Sequence, residues 1–226
     1  MTQDASRLSR SIEDYLKAVF ALSRSGSPAS TSALADHLGV QPSSVTGMVK
    51  RLAEMGLLAH VPYRGVQLTE AGTREALRVI RRHRVLETYL TQRLGYAWEE
   101  VHEEAEGLEH TASDRLIDAM ADALGDPSHD PHGAPIPTAE GEMESASRET
   151  LADAALNEPR VIQSVRDDEA DGLRAMEARG LLPGVPVRVL AHTADGGMTV
   201  EVGGTAGVRR AIPSWLARRI YVKAET

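Results

Sequence analysis

The chain has 226 residues, of which 42% are hydrophobic and 4% aromatic, and its formal net charge is −8. This length is sufficient for two or three small domains with aliphatic cores. The sequence contains no cysteine, which excludes disulfides, cysteine-ligated zinc and iron–sulfur clusters. No segment has the apolar length of a membrane span or a signal peptide, so we expect a soluble, cytoplasmic protein without a membrane partner.

The acidic charge is unevenly distributed along the chain. Residues 1–74 have 8 Lys/Arg against 6 Asp/Glu, a balance of +2, whereas residues 75–226 have a balance of −10. The acidity therefore lies outside the N-terminal part, and it does not argue against nucleic-acid binding by that part.

Residues 1–74 are predicted to form three helices followed by a hairpin. In chain order, these are helices over residues 11–24, 30–40 and 43–56 and strands over residues 57–63 and 66–72. Gly26 to Pro28 are expected to end the first helix, Gly39 to cap the second, and Ser43 or Ser44 to cap the third. This order predicts a winged helix-turn-helix, and the alternative is a small helical domain with a hairpin.

Two longer helices are predicted over residues 70–94 and 98–124, and both have groups of the kind that ligate metal ions. The imidazole and carboxylate groups that share helix faces are His83 and Glu87 on the first helix and His102, Glu106, Glu109 and His110 on the second. The last four residues fall at i, i+4, i+7 and i+8, which covers about a quarter of a helix circumference. The pattern predicts a divalent-metal site on a helical bundle, whereas the neighbouring glutamates are assigned to a solvated face.

The C-terminal part changes character after residue 124. Residues 125–150 are rich in Gly, Pro and charged residues and are predicted to be a partly ordered linker. His129 and His132 are assigned to a flexible polar loop, and metal binding by them is the alternative. From residue 160 to residue 222, short β-type runs alternate with turns, and one helix-like segment covers residues 170–181. This pattern predicts a small β-barrel with one helix.

Several segments together resemble the diphtheria toxin repressor and manganese transport regulator family. SIEDYLKAVFAL, LGVQPSSVTGMVKRLAEMGLL and YRGVQLTEAG are similar to its winged helix, and HRVLETYL and VHEEAEGLEH to its dimerisation and metal-binding helices. DGLRAMEARGLLPGVPVRVL is similar to the SH3-like domain of the three-domain members. The resemblance implies a mainly α fold with β: a winged helix-turn-helix (1–74), a helical dimerisation and metal-binding domain (75–140), a linker (141–159) and an SH3-like, FeoA-like small β-barrel (160–226).

The resemblance also implies two metal sites. The primary site would consist of Asp14, Glu106, Glu109 and His110, and the ancillary site of His83, Glu87 and His102. Glu169 aligns with a further ancillary ligand, and Asp171 lies near a second one, although another C-terminal residue is an alternative to Asp171. Carboxylates stand where the iron branch has Cys and Met, which favours Mn²⁺ over Fe²⁺. Lys17 stands where the manganese branch commonly has Glu, which argues against a tight two-metal cluster.

A set of polar residues is predicted to contact DNA. Those at or near the start of the proposed recognition helix and at the wing tip are Gln41, Ser43, Ser44, Thr46, Lys50, Arg51, Tyr63 and Arg64. Hydroxyls and cations at these places can approach phosphates and base edges. We expect a homodimer that binds a palindromic double-stranded DNA operator.

The expected function is a metal-dependent transcriptional repressor of metal-uptake or metal-homeostasis genes, activated by manganese and alternatively by iron. One alternative is a winged-helix regulator that responds to an organic ligand. Another is a di-metal enzyme on a helical bundle, although the ligand set leaves no evident nucleophile or general base.

Overall fold

The computed structural model of the protein describes residues 8–23, 27–166, 168–204 and 207–225. The chain divides into two compact units. The first comprises residues 1–82, 109–111 and 137–142, and the second comprises residues 83–108, 112–136 and 143–226.

The first unit contains the expected winged helix-turn-helix. In chain order, its elements are α1 (Arg10–Ser23), α2 (Thr31–Leu38), α3 (Pro42–Glu54), β1 (Leu58–Val61), β2 (Gly65–Leu68) and the first part of α4 (Glu70–Leu94). Ser30 caps α2 through its side chain, and Gly39 ends α2 in the left-handed conformation, as predicted. The predicted end of the first helix at Gly26 lies outside the described residues.

The start of α3 differs from the sequence prediction. Pro42 is the first helical residue, where its fixed φ suits the helix and its missing N–H is not needed. Gln41 is the N-cap residue and makes no side-chain cap bond. The prediction that Ser43 or Ser44 caps α3 is therefore wrong, because both residues lie within the first turn.

The wing hairpin is attached to the segment that precedes α2. Ala29 and Val66 exchange two backbone hydrogen bonds of 2.9 Å each. Gly65 has a φ of +119°, and a Cβ at this position would lie 2.1 Å from the carbonyl oxygen of Ala29. Only glycine therefore allows the hairpin to approach so closely. The core beneath is aliphatic, as expected, and its fully buried members include Leu16, Val19, Leu34, Val45 and Leu52.

The second unit begins with the rest of α4 and continues with two short helices. These are α5 (Val101–Leu108) and α6 (Asp114–Leu124). The prediction of one continuous helix over residues 98–124 is wrong, because Ser113 starts a new helix by accepting a hydrogen bond from the backbone N–H of Leu116. Glu109 and His110 consequently lie in the turn after α5 and not on its face.

The loop after α6 is compact. His129 and Pro135 form a β-bridge, and Asp130 Oδ1 accepts hydrogen bonds of 2.9 Å from the backbone N–H groups of His132 and Ala134. Asp130 and His132 are buried. The prediction of a flexible polar loop around His132 is therefore wrong, since a buried backbone turn holds that residue.

The C-terminal part is an antiparallel sheet of five strands in the order β6-β5-β4-β3-β7. Its elements are β3 (Pro159–Val165), α7 (Ala170–Glu177), β4 (Pro186–His192), β5 (Met198–Val202), β6 (Val208–Ile212), α8 (Ser214–Ala217) and β7 (Ile220–Ala224). Register shifts in the β3–β7 and β4–β5 pairs mark β-bulges, which bend strands. The expected SH3-like fold is thereby confirmed.

Residues before the predicted linker and within it contact this sheet or its core. Leu151 and Ala154 are buried in its core, and Trp98 from the helical part packs against the same core. The backbone N–H of Val165 donates to the carbonyl of His132 at 2.9 Å. None of the helices within the described ranges is long and apolar enough to span a membrane.

Candidate metal centres and DNA-binding surface

Three candidate ligands meet in the first unit, and we call Asp14, Glu109 and His110 the first cluster. Asp14 lies on α1, and the other two lie in the turn after α5. His110 Nε2 lies 2.9 Å from Asp14 Oδ1 and 3.1 Å from Glu109 Oε1. This nitrogen is buried and makes no hydrogen bond of acceptable geometry within the described residues. Two carboxylate oxygens and an imidazole nitrogen that converge in this way fit a divalent cation.

Glu13 orients the imidazole of the first cluster. Its Oε2 lies 2.6 Å from His110 Nδ1, and its Oε1 accepts a hydrogen bond of 3.0 Å from Arg82 Nη1. Because a carboxylate only accepts, Nδ1 carries a proton, and the other ring nitrogen, Nε2, faces Asp14 and Glu109. The sequence analysis missed Glu13. Its spacing from the buried Leu16 placed it on the inner face of α1, and a charged residue on such a face is a usable signal.

Lys17 is the nearest ammonium group to the first cluster within the described residues. It lies one turn after Asp14 on α1, and its Nζ donates to Glu109 Oε1 at 2.6 Å. Glu109 is fully buried, so this pair satisfies a carboxylate that would otherwise be costly to bury.

The second unit holds a larger group, and we call its six residues the second cluster: His83, Glu87, His102, Glu106, Asp130 and His132. His83 Nε2 lies 2.9 Å from Glu87 Oε1 and 3.2 Å from His102 Nδ1. His102 Nδ1 is also 3.3 Å from Glu87 Oε1. The predicted ancillary residues His83, Glu87 and His102 are therefore brought together.

Two triplets within the second cluster have ligand atoms close enough to share an ion. They are His83, His102 and Glu106, and Glu87, Asp130 and His132. Glu106 Oε1 lies 3.9 Å from His83 Nδ1, although the sequence analysis assigned Glu106 to the primary site.

Glu87 is the central carboxylate of the second cluster. Burial alone raises its pKa, but the charge of His83 and the neighbouring imidazoles of His102 and His132 outweigh burial and hold the pKa well below its ordinary value. Its Oε2 is buried and has no hydrogen-bond partner within the described residues. A buried anionic oxygen of this kind fits a bound cation.

The sequence analysis missed Asp130 as a candidate ligand, and for His132 it preferred a flexible loop over metal binding. His132 Nε2 donates to the carbonyl of Trp98 at 2.7 Å, and its Nδ1 lies 3.8 Å from Glu87 Oε1. The fixed ring orientation resembles that of a metal-ligating histidine. The spacing of Asp130 and His132, at positions i and i+2, is compatible with a shared metal site. Only the turn that contains them, however, brings both residues close to Glu87 on α4.

The residues predicted to contact DNA are exposed in the first unit. This holds for Gln41, Ser43, Ser44, Thr46, Lys50, Arg51, Tyr63 and Arg64. Thr46 Oγ1 donates to the carbonyl of Pro42 at 3.0 Å, one turn earlier in α3. Tyr63 is fully exposed at the wing tip and has a φ of 61°, which is unusual for a residue with a side chain.

Three family profiles match the chain in order. The N-terminal DNA-binding domain of iron-dependent repressors matches residues 7–66, their metal-binding and dimerisation domain matches residues 69–138, and the FeoA domain matches residues 149–224. A manganese-dependent transcriptional repressor solved in complex with manganese is 35% identical, with a TM-score of 0.86 over 95% of this chain and 100% of that chain. The chain belongs to the diphtheria toxin repressor and manganese transport regulator family.

Named relatives agree with this membership. The regulator MntR of Lysinibacillus sphaericus is 37% identical over 114 residues, which is 50% of this chain and 81% of that protein. The iron-dependent repressor IdeR of Mycobacterium tuberculosis is 28% identical over 93% of this chain and 96% of that protein. The repressor ScaR, solved with Zn²⁺, is 32% identical with a TM-score of 0.81, over 95% of this chain and 99% of that chain.

Family membership confirms the predicted function. The chain is a metal-dependent, DNA-binding transcriptional regulator, and it is not an enzyme. Its partners are DNA and a second copy of the chain. The alternatives of an organic-ligand regulator and a di-metal enzyme are therefore set aside. The predicted limits of the three domains and of the linker stay a prediction.

Two residues that the resemblance implied as ancillary ligands are engaged elsewhere. Glu169 Oε1 pairs with Arg219, and Asp171 Oδ1 pairs with Arg174 at 2.6 Å. The Asp171 side chain is 92% exposed. Both assignments stay predictions, and each requires that the carboxylate leave its arginine.

Proposed function

We propose that Mn²⁺, with Fe²⁺ as the alternative, activates this protein to bind a palindromic operator as a homodimer and to repress metal-uptake or metal-homeostasis genes in the cytoplasm. The observation that carries the proposal is the donor set of the first cluster, which consists of carboxylate oxygens and one imidazole nitrogen. Such hard donors suit Mn²⁺ and Fe²⁺, and the chain has no thiolate to offer a softer ion.

The first cluster connects the metal to DNA binding through α1. Asp14 belongs to the first helix of the winged helix-turn-helix, whereas Glu109 and His110 follow α5 in the sequence. A bound ion would supply the positive charge that holds these ligands together, and it would fix α1 against the turn. Glu106, three residues before Glu109, is the fourth proposed primary ligand. A coupling between metal and DNA of about 1–3 kcal/mol is typical of such linkage.

The second cluster is the proposed ancillary site. His83, Glu87 and His102 are its ligands from the sequence, and the contacts of Asp130 and His132 support adding them. Glu169 and Asp171 are proposed contributors from the C-terminal sheet. Because the loop with Asp130 and His132 is hydrogen bonded to β3, we propose that this cluster links metal binding to the C-terminal sheet and tunes the response.

DNA recognition is assigned to the N-terminal half of α3 and the wing. Gln41, Ser43, Ser44 and Thr46 are proposed to reach bases and phosphates, and Lys50 and Arg51 to neutralise phosphates. Tyr63 and Arg64 are proposed to contact the backbone beside the wing. A two-fold symmetric dimer presents two such surfaces, and inverted half-sites follow from that symmetry.

A binding titration tests the proposal. A DNA duplex selected from a random pool in the presence of Mn²⁺ is titrated with protein and followed by fluorescence anisotropy, with Mn²⁺, Fe²⁺, Zn²⁺ or a chelator. We expect Mn²⁺ to tighten binding about 5- to 150-fold relative to the chelator. Asp14→Asn should remove this gain, and Glu140→Gln, an exposed carboxylate outside both clusters, should retain it. Equal affinity with Mn²⁺ and with chelator would refute the proposal.

A further inference from the structure

Lys17 contacts the oxygen of Glu109 that faces the candidate metal position. Glu109 Oε1 accepts a hydrogen bond of 2.6 Å from Lys17 Nζ and also lies 3.1 Å from His110 Nε2. The ammonium group of Lys17 and His110 Nε2 therefore approach the same carboxylate oxygen. A divalent ion bound by His110 and Glu109 would need that oxygen as well.

A buried cation of this region, Arg82, pairs with Glu13. Arg82 Nη1 donates to Glu13 Oε1, which is the oxygen of Glu13 that does not face His110. Arg82 therefore stabilises the residue that orients His110. Lys17 contacts a ligand oxygen directly, and its side chain is 19% exposed.

The length of the lysine side chain allows it to leave. Its ammonium is a compact charge on a flexible four-carbon stem, unlike a planar guanidinium that binds both oxygens of a carboxylate. The partial exposure of Lys17 gives it a path to solvent. In the absence of metal, the Lys17–Glu109 ion pair offsets the cost of burying the Glu109 carboxylate. With metal bound, the Lys17 ammonium and the metal ion would repel each other at the same oxygen.

We propose that Lys17 is a tethered cation that competes with the activating metal for Glu109 and so raises the metal concentration at which the first cluster fills. This inference rests on the proposed function, because it takes the first cluster to be the activating site. Removing the charge should destabilise the metal-free protein and tighten metal binding. If Lys17 had only a structural role, its loss would lower the stability of the metal-free protein and would also weaken metal binding.

The test measures Mn²⁺ binding to the full-length protein by isothermal titration calorimetry, and thermal unfolding in the presence of chelator. The step that disappears in Asp14→Asn identifies the first cluster. We expect Lys17→Met to lower the dissociation constant of that step about 10-fold, which corresponds to about 1.4 kcal/mol, and to lower the metal-free melting temperature. The Mn²⁺ concentration for half-maximal DNA binding should fall by a similar factor.

Two further variants keep the result interpretable. Lys17→Gln removes the charge but retains a hydrogen-bond donor, so it should also lower the dissociation constant of this step. It replaces Lys17→Met in the test if that variant does not fold. Arg10→Met is the matched control, because Arg10 is a more exposed cation on α1, 3.9 Å from Asp14 Oδ2. It should change the dissociation constant less than about 2-fold, since exposed pairs contribute little.

The outcomes separate this inference from the proposed function. If Asp14→Asn removes a binding step but neither neutral variant tightens it, the competition by Lys17 is refuted and the metal site stands. If Asp14→Asn changes no step, the proposed activating site is itself refuted. Tightening by Lys17→Met together with a lower metal-free melting temperature supports the inference.

Discussion

The first and second clusters both contain buried carboxylates, but different groups compensate the negative charge in each. In the first, Lys17 and Arg82 hold the carboxylates of Glu109 and Glu13 by direct ion pairs. In the second, imidazoles surround Glu87, and a permanent cation, Arg84, has its Nε 3.4 Å from Asp130 Oδ2. An imidazole that donates to a carboxylate can become a metal ligand when it loses its proton, whereas an ammonium must move away. The two clusters should therefore fill at different metal concentrations.

Their places in the chain also differ. The first cluster includes α1, so its occupancy bears on the helix that begins the DNA-binding part. The second includes the loop that contacts β3 through His132. We therefore expect the first cluster to switch DNA binding and the second to set how steeply that switch responds.

Glu106 provides the strongest test of the distinction. The sequence assigns Glu106 to the primary site, and in the second unit its carboxylate lies near His83. Glu106→Ala should abolish Mn²⁺-triggered DNA binding while leaving a folded dimer, because a ligand of the activating site is lost. Anisotropy with Mn²⁺ and chelator measures this effect, and size-exclusion chromatography checks the dimer.

Glu104→Ala is the matched control, since Glu104 is exposed on the same helix. It should respond to Mn²⁺ like the unaltered protein. If Glu106→Ala weakens only the binding step that Asp14→Asn leaves intact, Glu106 belongs to the second cluster and the primary assignment is wrong.

Glu87 tests whether the second cluster is an independent site. Glu87→Gln removes the charge toward which His83, His102 and His132 are oriented. We expect the Mn²⁺ affinity of the second binding step to fall about 100-fold. This is the upper end of the affinity loss that is typical when a residue that only orients a metal ligand is replaced. The metal-free protein should lose about 1–3 kcal/mol of unfolding free energy, since hydrogen bonds to a buried charged group are lost.

Calorimetry and chemical denaturation measure these effects separately. The step attributed to the first cluster should change less than about 2-fold, because changes at separated sites are close to additive. A parallel loss of both steps would show that the clusters act as one site, and the comparison between them would then fail.

The sequence predicted the fold well because most of its elements are local. Apolar periodicity, Ser30 and Gly39 define α2, and α4 matches the predicted helix from Glu70 to Leu94. The break after α5 was missed because residues 98–124 keep a helical spacing of apolar residues across Ser113. Capping by one serine decided the structure there, and hydrophobic periodicity does not report it.

The candidate sites were predicted in part. Residues that share a helix, such as His83 and Glu87, are brought together by spacing alone. Asp130 and His132 meet Glu87 only through a loop more than forty positions away along the chain, so no local pattern assigns them. Glu13 was missed because its partners Arg82 and His110 are far away in sequence.

The smallest expected effect concerns the contribution of the C-terminal sheet to the second cluster. Glu169→Gln should weaken the second Mn²⁺ step no more than about 10-fold, the lower end for a supporting residue, because Glu169 must first leave Arg219. Asp171→Asn should have a still smaller effect, since its exposed side chain already pairs with Arg174 on the surface. Calorimetry of both variants beside the unaltered protein measures the difference. If neither variant changes the second step, the sheet supplies no ligand, and its influence on metal binding must pass through the contact between Val165 and His132. A larger loss in Asp171→Asn than in Glu169→Gln would reverse the assignment and make Asp171 the ligand from the sheet.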